Sequence, residues 1–214
     1  MIPKNTSPRK RADHKRILDF ISNPSVEAAY DGFMGKRLES ITPILHEFIE
    51  KQNIYFVGTA GAEGHVNLSP KGMDSLRVLG PNRVAWLNVT GSGNESAAHV
   101  LENQRMTLMF CAFEGPPMIL RLYGKARVYH AYDPEWTAKT ALFPDFPGTR
   151  QVFEVDVELV QTSCGMAVPF FDYQEEREEL NAWAEKKTPE QIHAYWEQKN
   201  TVSLDGKPTQ IFKP

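Results

Sequence analysis

The sequence contains little cysteine and no long apolar run. Only two of its 214 residues are cysteines, and neither belongs to a C-x-x-C pair or another metal-binding spacing, so we expect reduced thiols and no metal site. The longest apolar run, residues 106–113, is far too short to span a bilayer, and the N-terminus has no apolar stretch that could serve as a signal peptide. These absences predict a soluble, cytoplasmic protein without membrane contact.

An excess of charge of one sign is also missing. The formal net charge is −3, which gives no general attraction to nucleic acid. Residues 1–16 hold six basic residues against one acid, but no aromatic residue lies among them, and single-strand binding needs aromatic side chains for stacking. We therefore interpret this segment as a solvated end and predict no nucleic-acid partner.

The composition, with 41% hydrophobic and 24% charged residues, is that of one globular domain, predicted to cover residues 1–214. Its core is predicted over about 48–162, with helical extensions at 10–52 and 175–199. Within these extensions the residue pattern predicts helices at 17–21, 38–52, 175–187 and 189–199.

Between the extensions the pattern changes to that of strands. Apolar and β-branched runs flank short turns at 61–64, 80–83 and 114–117, which predicts three β-hairpins, and alternation over 153–159 predicts a last long strand. About six strands joined by tight turns, with one inserted helix, favour a small antiparallel barrel over a parallel sheet. The predicted fold class is therefore mainly β with flanking helices.

A strand, a glycine loop and a helix follow one another in residues 84–103. Ser92 and Glu95 have the spacing of a capping box for this helix, and Asn94 is a competing N-cap. Free backbone N–H groups at such a helix start, together with the helix dipole, can hold a phosphate or another anion. An ordinary capped turn is the alternative interpretation.

Five short motifs occur in one order along the chain. They are Leu68-Ser-Pro-Lys-Gly72, Gly91-Ser-Gly-Asn94, Leu101-Glu-Asn103, Thr107-Leu-Met-Phe110 and Leu120-Arg-Leu-Tyr-Gly-Lys-Ala126. This order resembles the pyridoxamine 5'-phosphate oxidase-like, FMN-binding split-barrel family, over roughly residues 48–160. The resemblance implies a six-stranded antiparallel split barrel, a homodimer, and FMN as the cofactor in a groove at the subunit interface.

The resemblance also implies which residues bind FMN. The phosphate needs positive charge and several hydrogen-bond donors, and in the family the strand before the glycine loop lies along the isoalloxazine ring. The implied cofactor-binding residues are Ser69, Lys71, Gly72, Arg77, Trp86, Leu87, Asn88, Ser92, Gly93, Asn94 and Arg121. As alternatives, Lys71 is a solvent-facing turn residue and Arg121 forms a cross-strand ion pair with a glutamate such as Glu154.

Two features depart from the family pattern. Many relatives have an arginine where this chain has Glu95, and we expect this carboxylate to turn back and cap the helix. The true vitamin B6 oxidases end in an Arg-x-His pattern, whereas this chain ends in Thr209-Gln-Ile-Phe-Lys-Pro214. Oxidation of pyridoxamine phosphate itself is therefore not expected.

The resemblance implies an FMN-dependent oxidoreductase that acts on a small molecule, with the cofactor carrying the chemistry. The alternatives are a flavin- or haem-binding protein without turnover and a deazaflavin-dependent reductase on the same fold. His65, His99 and His130 are near the proposed site, but none is selected as a proton relay, so no catalytic residue is predicted.

Overall fold

The computed structural model describes residues 35–213 and contains one antiparallel sheet of eight strands. The strands are β1 (Arg37–Leu38), β2 (Tyr55–Thr59), β3 (Asn67–Lys71), β4 (Leu76–Gly80), β5 (Arg83–Val89), β6 (Arg105–Cys111), β7 (Met118–Tyr129) and β8 (Thr149–Cys164). The described helices are α1 (Pro43–Glu50), α2 (Glu95–Asn103), α3 (Trp136–Thr140), α4 (Glu179–Glu185) and α5 (Pro189–Lys199).

The strand order is β3-β2-β6-β7-β8-β5-β4, with β1 paired to the C-terminal part of β8. The long strands β7 and β8 form the centre, and β5 returns to pair with the first half of β8. The core between the strands and α1 is apolar and closely packed. Within it the rings of Trp86 and Phe153 are stacked with centroids 4.3 Å apart. Stacking of two fully buried aromatic rings anchors β5 on β8.

The prediction of a mainly β, antiparallel fold with flanking helices is confirmed. The described strands number eight, more than the six or so expected. One reason is β1, where Arg37 and Leu38 pair with Gln161 and Val160 although the sequence pattern there was assigned to a helix.

The helix predicted at 38–52 is shorter, because Thr42 caps it and Pro43 takes its first position. The helix predicted at 175–187 begins only at Glu179, whereas the predicted helix at 189–199 has the expected bounds. The helix predicted at 17–21 lies outside the described residues.

The capping box predicted for α2 is wrong. Asn94 is the N-cap, without a side-chain hydrogen bond to the helix, and Ser92 makes no capping contact. The Glu95 carboxylate instead accepts a hydrogen bond from the backbone N–H of Leu204, with Oε2 and N 2.9 Å apart. The C-terminal segment thus supplies a donor from 109 residues away, which a local capping pattern cannot anticipate.

No helix in residues 35–213 is long and apolar enough to cross a membrane.

Candidate functional site

A cavity of about 570 Å³ opens where the ends of β3 and β5 meet the glycine loop. Arg150 at the start of β8 and Leu204 after α5 also line it. Most of the predicted cofactor-binding residues line this cavity, namely Ser69, Lys71, Gly72, Leu87, Asn88, Ser92, Gly93 and Asn94. The structure therefore brings together two motifs, the Ser-Pro-Lys-Gly end of β3 and the glycine loop, that are about twenty residues apart in the sequence.

Three predicted site residues do not line this cavity. Arg77 forms an ion pair with Asp74, with Nη1 and Oδ1 2.7 Å apart, and its Nε donates to the carbonyl of Leu142. Trp86 is 0% exposed because its ring belongs to the core. Arg121 lies on β7, where its Nη1 donates to Ser163 Oγ at 3.1 Å.

The alternative partner proposed for Arg121 is also not observed. Glu154 forms ion pairs with Lys139 and, at 3.8 Å, with Arg83.

Lys71 is a cavity residue and not a solvent-facing turn lysine. Its Nζ donates to Asn88 Oδ1 at 3.2 Å and lies 5.1 Å from the centre of the Trp86 ring. Loss of hydration, together with the positive charge of Arg150, lowers the pKa of Lys71 to about 8. No carboxylate of the described residues forms an ion pair with Lys71.

Arg150 is the main site residue that the sequence analysis missed. It is 4% exposed, its Nη1 donates to the carbonyl of Gly93 at 3.0 Å, and its Nε has no hydrogen-bond partner. Burial lowers the pKa of this guanidinium to about 10. Among the described residues it likewise has no acidic ion-pair partner.

A β-bulge aims Arg150 at the cavity. Asn88 is paired with Gln151 and Val89 with Thr149, so Arg150 is the extra residue on β8. Bulges of this kind bend a strand and redirect one side chain, often beside functional sites. No local pattern in the sequence marks Arg150 for this role, because the predicted strand was placed over 153–159 and Arg150 precedes it.

Positive charge therefore dominates the cavity. Two cations face it, the buried Arg150 and the half-buried Lys71, and the one acidic residue among its described lining residues is Glu95. Burying a charge without an opposite partner is costly. A site that keeps two such cations together is best explained by an anionic ligand, because the ligand would supply the missing charge.

A series of hydrogen-bonded, buried polar side chains extends behind the cavity wall. Asn88 Nδ2 donates to Gln151 Oε1 at 3.1 Å, and Gln151 Nε2 is 3.5 Å from His130 Nδ1. Burial lowers the pKa of His130 to about 4, so this imidazole is neutral near pH 7. These hydrogen bonds fix the orientation of the Asn88 amide, whose oxygen accepts the hydrogen bond from Lys71.

None of the three histidines considered in the sequence lines the cavity. His99 is a buried residue of α2, with Nδ1 3.0 Å from Thr59 Oγ1. His65 is exposed and forms an ion pair with Asp205 at 2.6 Å, which raises the pKa of His65. The described residues also contain no group of three or more His, Cys, Asp or Glu side chains able to hold a metal ion.

The C-terminal part of the chain holds the glycine loop in place. Asn200 Nδ2 donates to the carbonyl of Gly91 at 3.0 Å, and Asn94 Nδ2 donates to the carbonyl of Asn200 at 3.2 Å. Trp196 Nε1 donates to Thr90 Oγ1 at 2.9 Å. These contacts turn the Asn94 amide away from solvent and fix the loop between β5 and α2.

Comparison with known proteins identifies the family of the chain. The family model described as pyridoxamine 5'-phosphate oxidase matches residues 41–164. A "Pyridoxamine 5'-phosphate oxidase family protein ustO" from Aspergillus flavus is 35% identical over 188 residues, which cover 79% of this chain and 76% of that protein.

Two solved structures are similar at lower identity. The first is a pyridoxamine 5'-phosphate oxidase-related, FMN-binding protein from Nostoc punctiforme, with 12% identity and a TM-score of 0.40, covering 51% of this chain and 73% of that one. The second is HutZ, the haem storage protein from Vibrio cholerae, with 15% identity and a TM-score of 0.43. The match covers 59% of this chain and 97% of that one. From the family model and the Aspergillus flavus relative, the chain belongs to the pyridoxamine 5'-phosphate oxidase family.

Proposed function

We propose that the chain is an FMN-dependent oxidoreductase of the split-barrel type that acts on a small molecule. The observation that carries this proposal is the pair of cations, the half-buried Lys71 and the buried Arg150, that face the glycine loop without an acidic partner. The proposal includes a cytoplasmic homodimer in which the cofactor groove lies at the subunit interface.

The donor groups suit the phosphate of FMN. A phosphate carries nearly two negative charges at pH 7 and accepts several hydrogen bonds. Lys71 and Arg150 would supply the charge, and Ser69, Ser92 and the Gly93 N–H would supply further donors. Arg150 Nε, buried without a partner, would gain one in the bound state.

The remaining wall suits the flavin ring. Leu87 gives an apolar surface, and Asn88 offers polar groups whose orientation is fixed through Gln151. The volume of about 570 Å³ lies within the usual range for cofactor pockets. Trp86 is not part of this proposal, because it is fully buried in the core, and Arg77 is held by Asp74. For Arg121 we propose only a contact with FMN that is bound in the cavity of the other subunit of the dimer.

When bound, FMN supplies reversible transfer of electrons or a hydride. The residues of this chain bind and orient the cofactor and shield its phosphate from water. A nucleophilic side chain is not required.

Pyridoxamine 5'-phosphate is not the proposed substrate. Residues 209–214 contain no Arg-x-His pattern, and Thr209 and Ile211 are buried against the chain itself. The main chain and hydroxyl of Thr209 also bond to the carbonyls of Thr201 and Asn200. These residues therefore have a packing role in the monomer.

The test is to purify the protein, record its visible spectrum and identify any cofactor released by denaturation. We expect a flavin spectrum and one FMN per chain, either as purified or after incubation with FMN. A colourless protein that takes up a deazaflavin but not FMN would favour the deazaflavin reductase. A Soret band would favour the haem-binding alternative, for which no histidine among the described lining residues offers an axial ligand.

A further inference from the structure

A second and larger cavity, of about 1170 Å³, lies beside the candidate cofactor site. One wall is the outer side of α1, another is the turn between β6 and β7, and the roof is the segment 171–177. Residues 70–73 and Leu180 line both cavities. A molecule in the larger cavity would therefore lie next to a cofactor in the smaller one.

The walls of the larger cavity are mainly apolar and incompletely covered. Ile44 is 56% exposed at its edge, and Phe48 and Met118 lie further in. The rings of Phe113 and Phe171 meet edge to face across the roof, with centroids 5.4 Å apart. Cavities with such walls and of this size bind bulky apolar molecules.

The roof belongs to a part of the chain beyond the family match, which ends at residue 164. The Phe171 N–H donates to the Phe113 carbonyl at 3.1 Å, and the Tyr173 N–H donates to Glu114 Oε1 at 3.0 Å. These two hydrogen bonds hold the segment over the cavity. The roof is thus a feature of this chain that the shared family core does not supply.

The charge around the larger cavity is opposite in sign to that of the smaller one. The acidic lining residues are Glu47, Glu114, Asp172, Glu175 and Glu176, and the basic ones are Lys51, Lys71 and Arg177. Glu47 and Lys51 neutralise each other through an ion pair of 2.6 Å. The remaining excess of carboxylates disfavours an anionic ligand.

We propose that the larger cavity is the substrate site and that the substrate is a bulky, mainly apolar molecule without negative charge. This inference rests on the proposed function for the role of the bound molecule, but the binding site itself stands on the cavity. The two neighbouring cavities separate the ligands by charge, with the anionic cofactor held by Lys71 and Arg150 and the uncharged or cationic substrate beside it.

The test uses two dyes of similar size with the FMN-loaded full chain: Nile red, which is neutral, and 1-anilinonaphthalene-8-sulfonate, which is anionic. We expect one Nile red per chain, with at least tenfold weaker binding of the anionic dye. Bound Nile red should also shift the flavin absorption bands, because the cavities share a wall. Equal affinities, or no shift of the flavin bands, would overturn the proposal.

The variant Ile44→Glu places a charge at the cavity edge and should weaken Nile red binding at least tenfold. Leu79→Glu is the matched control, because Leu79 is also exposed, at 39%, and lines neither the larger nor the smaller cavity. Ile44→Gln provides a milder change if the charged variant does not fold. Unchanged dye binding in both Ile44 variants would contradict the proposed site.

Two further readouts separate the possible failures. Size-exclusion chromatography of Ile44→Glu should show the wild-type oligomeric state, and a change of state would identify the cavity as a subunit contact and overturn the proposal. FMN binding is followed in the same samples by quenching of flavin fluorescence. Nile red binding without FMN binding would refute the proposed function, whereas FMN binding without Nile red binding would refute only this inference.

Discussion

Lys71 and Arg150 carry their charge into a buried site without an acidic partner, and each has a lowered pKa as a result. Such an arrangement lowers the stability of the ligand-free protein, and the lost stability is recovered when an anion binds. The two residues differ in how visible they are in the sequence. Lys71 lies in a motif, whereas Arg150 reaches the site only because a bulge in β8 redirects it.

Replacing Arg150 should weaken FMN binding. Arg150→Gln removes a charged hydrogen-bond donor, which is worth about 1.5–3 kcal/mol, or roughly 10- to 100-fold in Kd. Arg150→Lys should restore part of the affinity because it keeps the charge. The control is Arg127→Gln, at an exposed strand arginine paired with Asp156. Flavin fluorescence titrations measure all three, and equal affinity of Arg150→Gln and wild type would contradict the assignment.

Replacing Lys71 should raise the stability of the ligand-free protein and lower its affinity for FMN. Lys71→Met removes a poorly hydrated charge, so the ligand-free variant should be more stable by on the order of 1–2 kcal/mol. The gain is limited because the hydrogen bond to Asn88 is lost. FMN affinity should fall in the same variant. Urea unfolding and FMN titration test both effects, and a less stable variant with full affinity would oppose the account.

The affinity for FMN should depend on pH through Lys71. Its pKa of about 8 means that the amine is charged below pH 8 and becomes neutral above it. A bound phosphate favours the charged form, so affinity should fall as the pH rises above about 8, by up to tenfold per pH unit. Titrations from pH 7 to 9.5 measure this fall. Lys71→Met should lack it.

At the scale of elements, the glycine loop depends on the C-terminal segment that packs on it. Local patterns located the loop and the helix after it, because glycine and helix-forming residues act over short distances. They correctly offered Asn94 as the N-cap, but the Ser92–Glu95 capping box is absent, because the partner of Glu95 is the Leu204 N–H. Contacts between distant segments leave no spacing rule in the sequence.

Removing one of these contacts should loosen the loop. Asn200→Ala deletes the hydrogen bond to the Gly91 carbonyl, and we expect FMN affinity to drop about three- to tenfold, corresponding to roughly 1 kcal/mol. Hydrogen exchange at residues 91–94 should become faster. Thr201→Ala is the control, because its hydroxyl bonds only to the exposed Glu197 carbonyl. Unchanged exchange and affinity in Asn200→Ala would show that the loop holds its shape alone.

At the scale of the whole molecule, the sheet order decides where the site lies. The pairing of Asn88 with Gln151 brings the start of β8 beside the glycine loop and buries His130 behind it. The fold class and the strands other than β1 were predictable from alternation and turns. The pairing of β5 with β8 was not, because it joins segments about sixty residues apart through tertiary packing.

The buried His130 should make global stability depend on pH. Its pKa is lowered from 6.5 to about 4, so the folded protein excludes a proton that the unfolded chain binds. This contribution is fully present above pH 6.5 and is lost as the pH falls toward 4, by about 2–3 kcal/mol at pH 4.5. Urea unfolding at pH 7 and 4.5 measures the loss. His130→Gln should lose less stability between these two pH values than wild type.

Lys71 and Arg150 are proposed to hold FMN by its phosphate. The most direct measurement compares the Kd of FMN with that of riboflavin, which has the same ring without the phosphate. We predict that wild type binds FMN at least 100-fold more tightly and that Lys71→Met combined with Arg150→Gln removes this preference. Equal binding of the two flavins by wild type, or an unchanged preference in the double variant, would contradict the account.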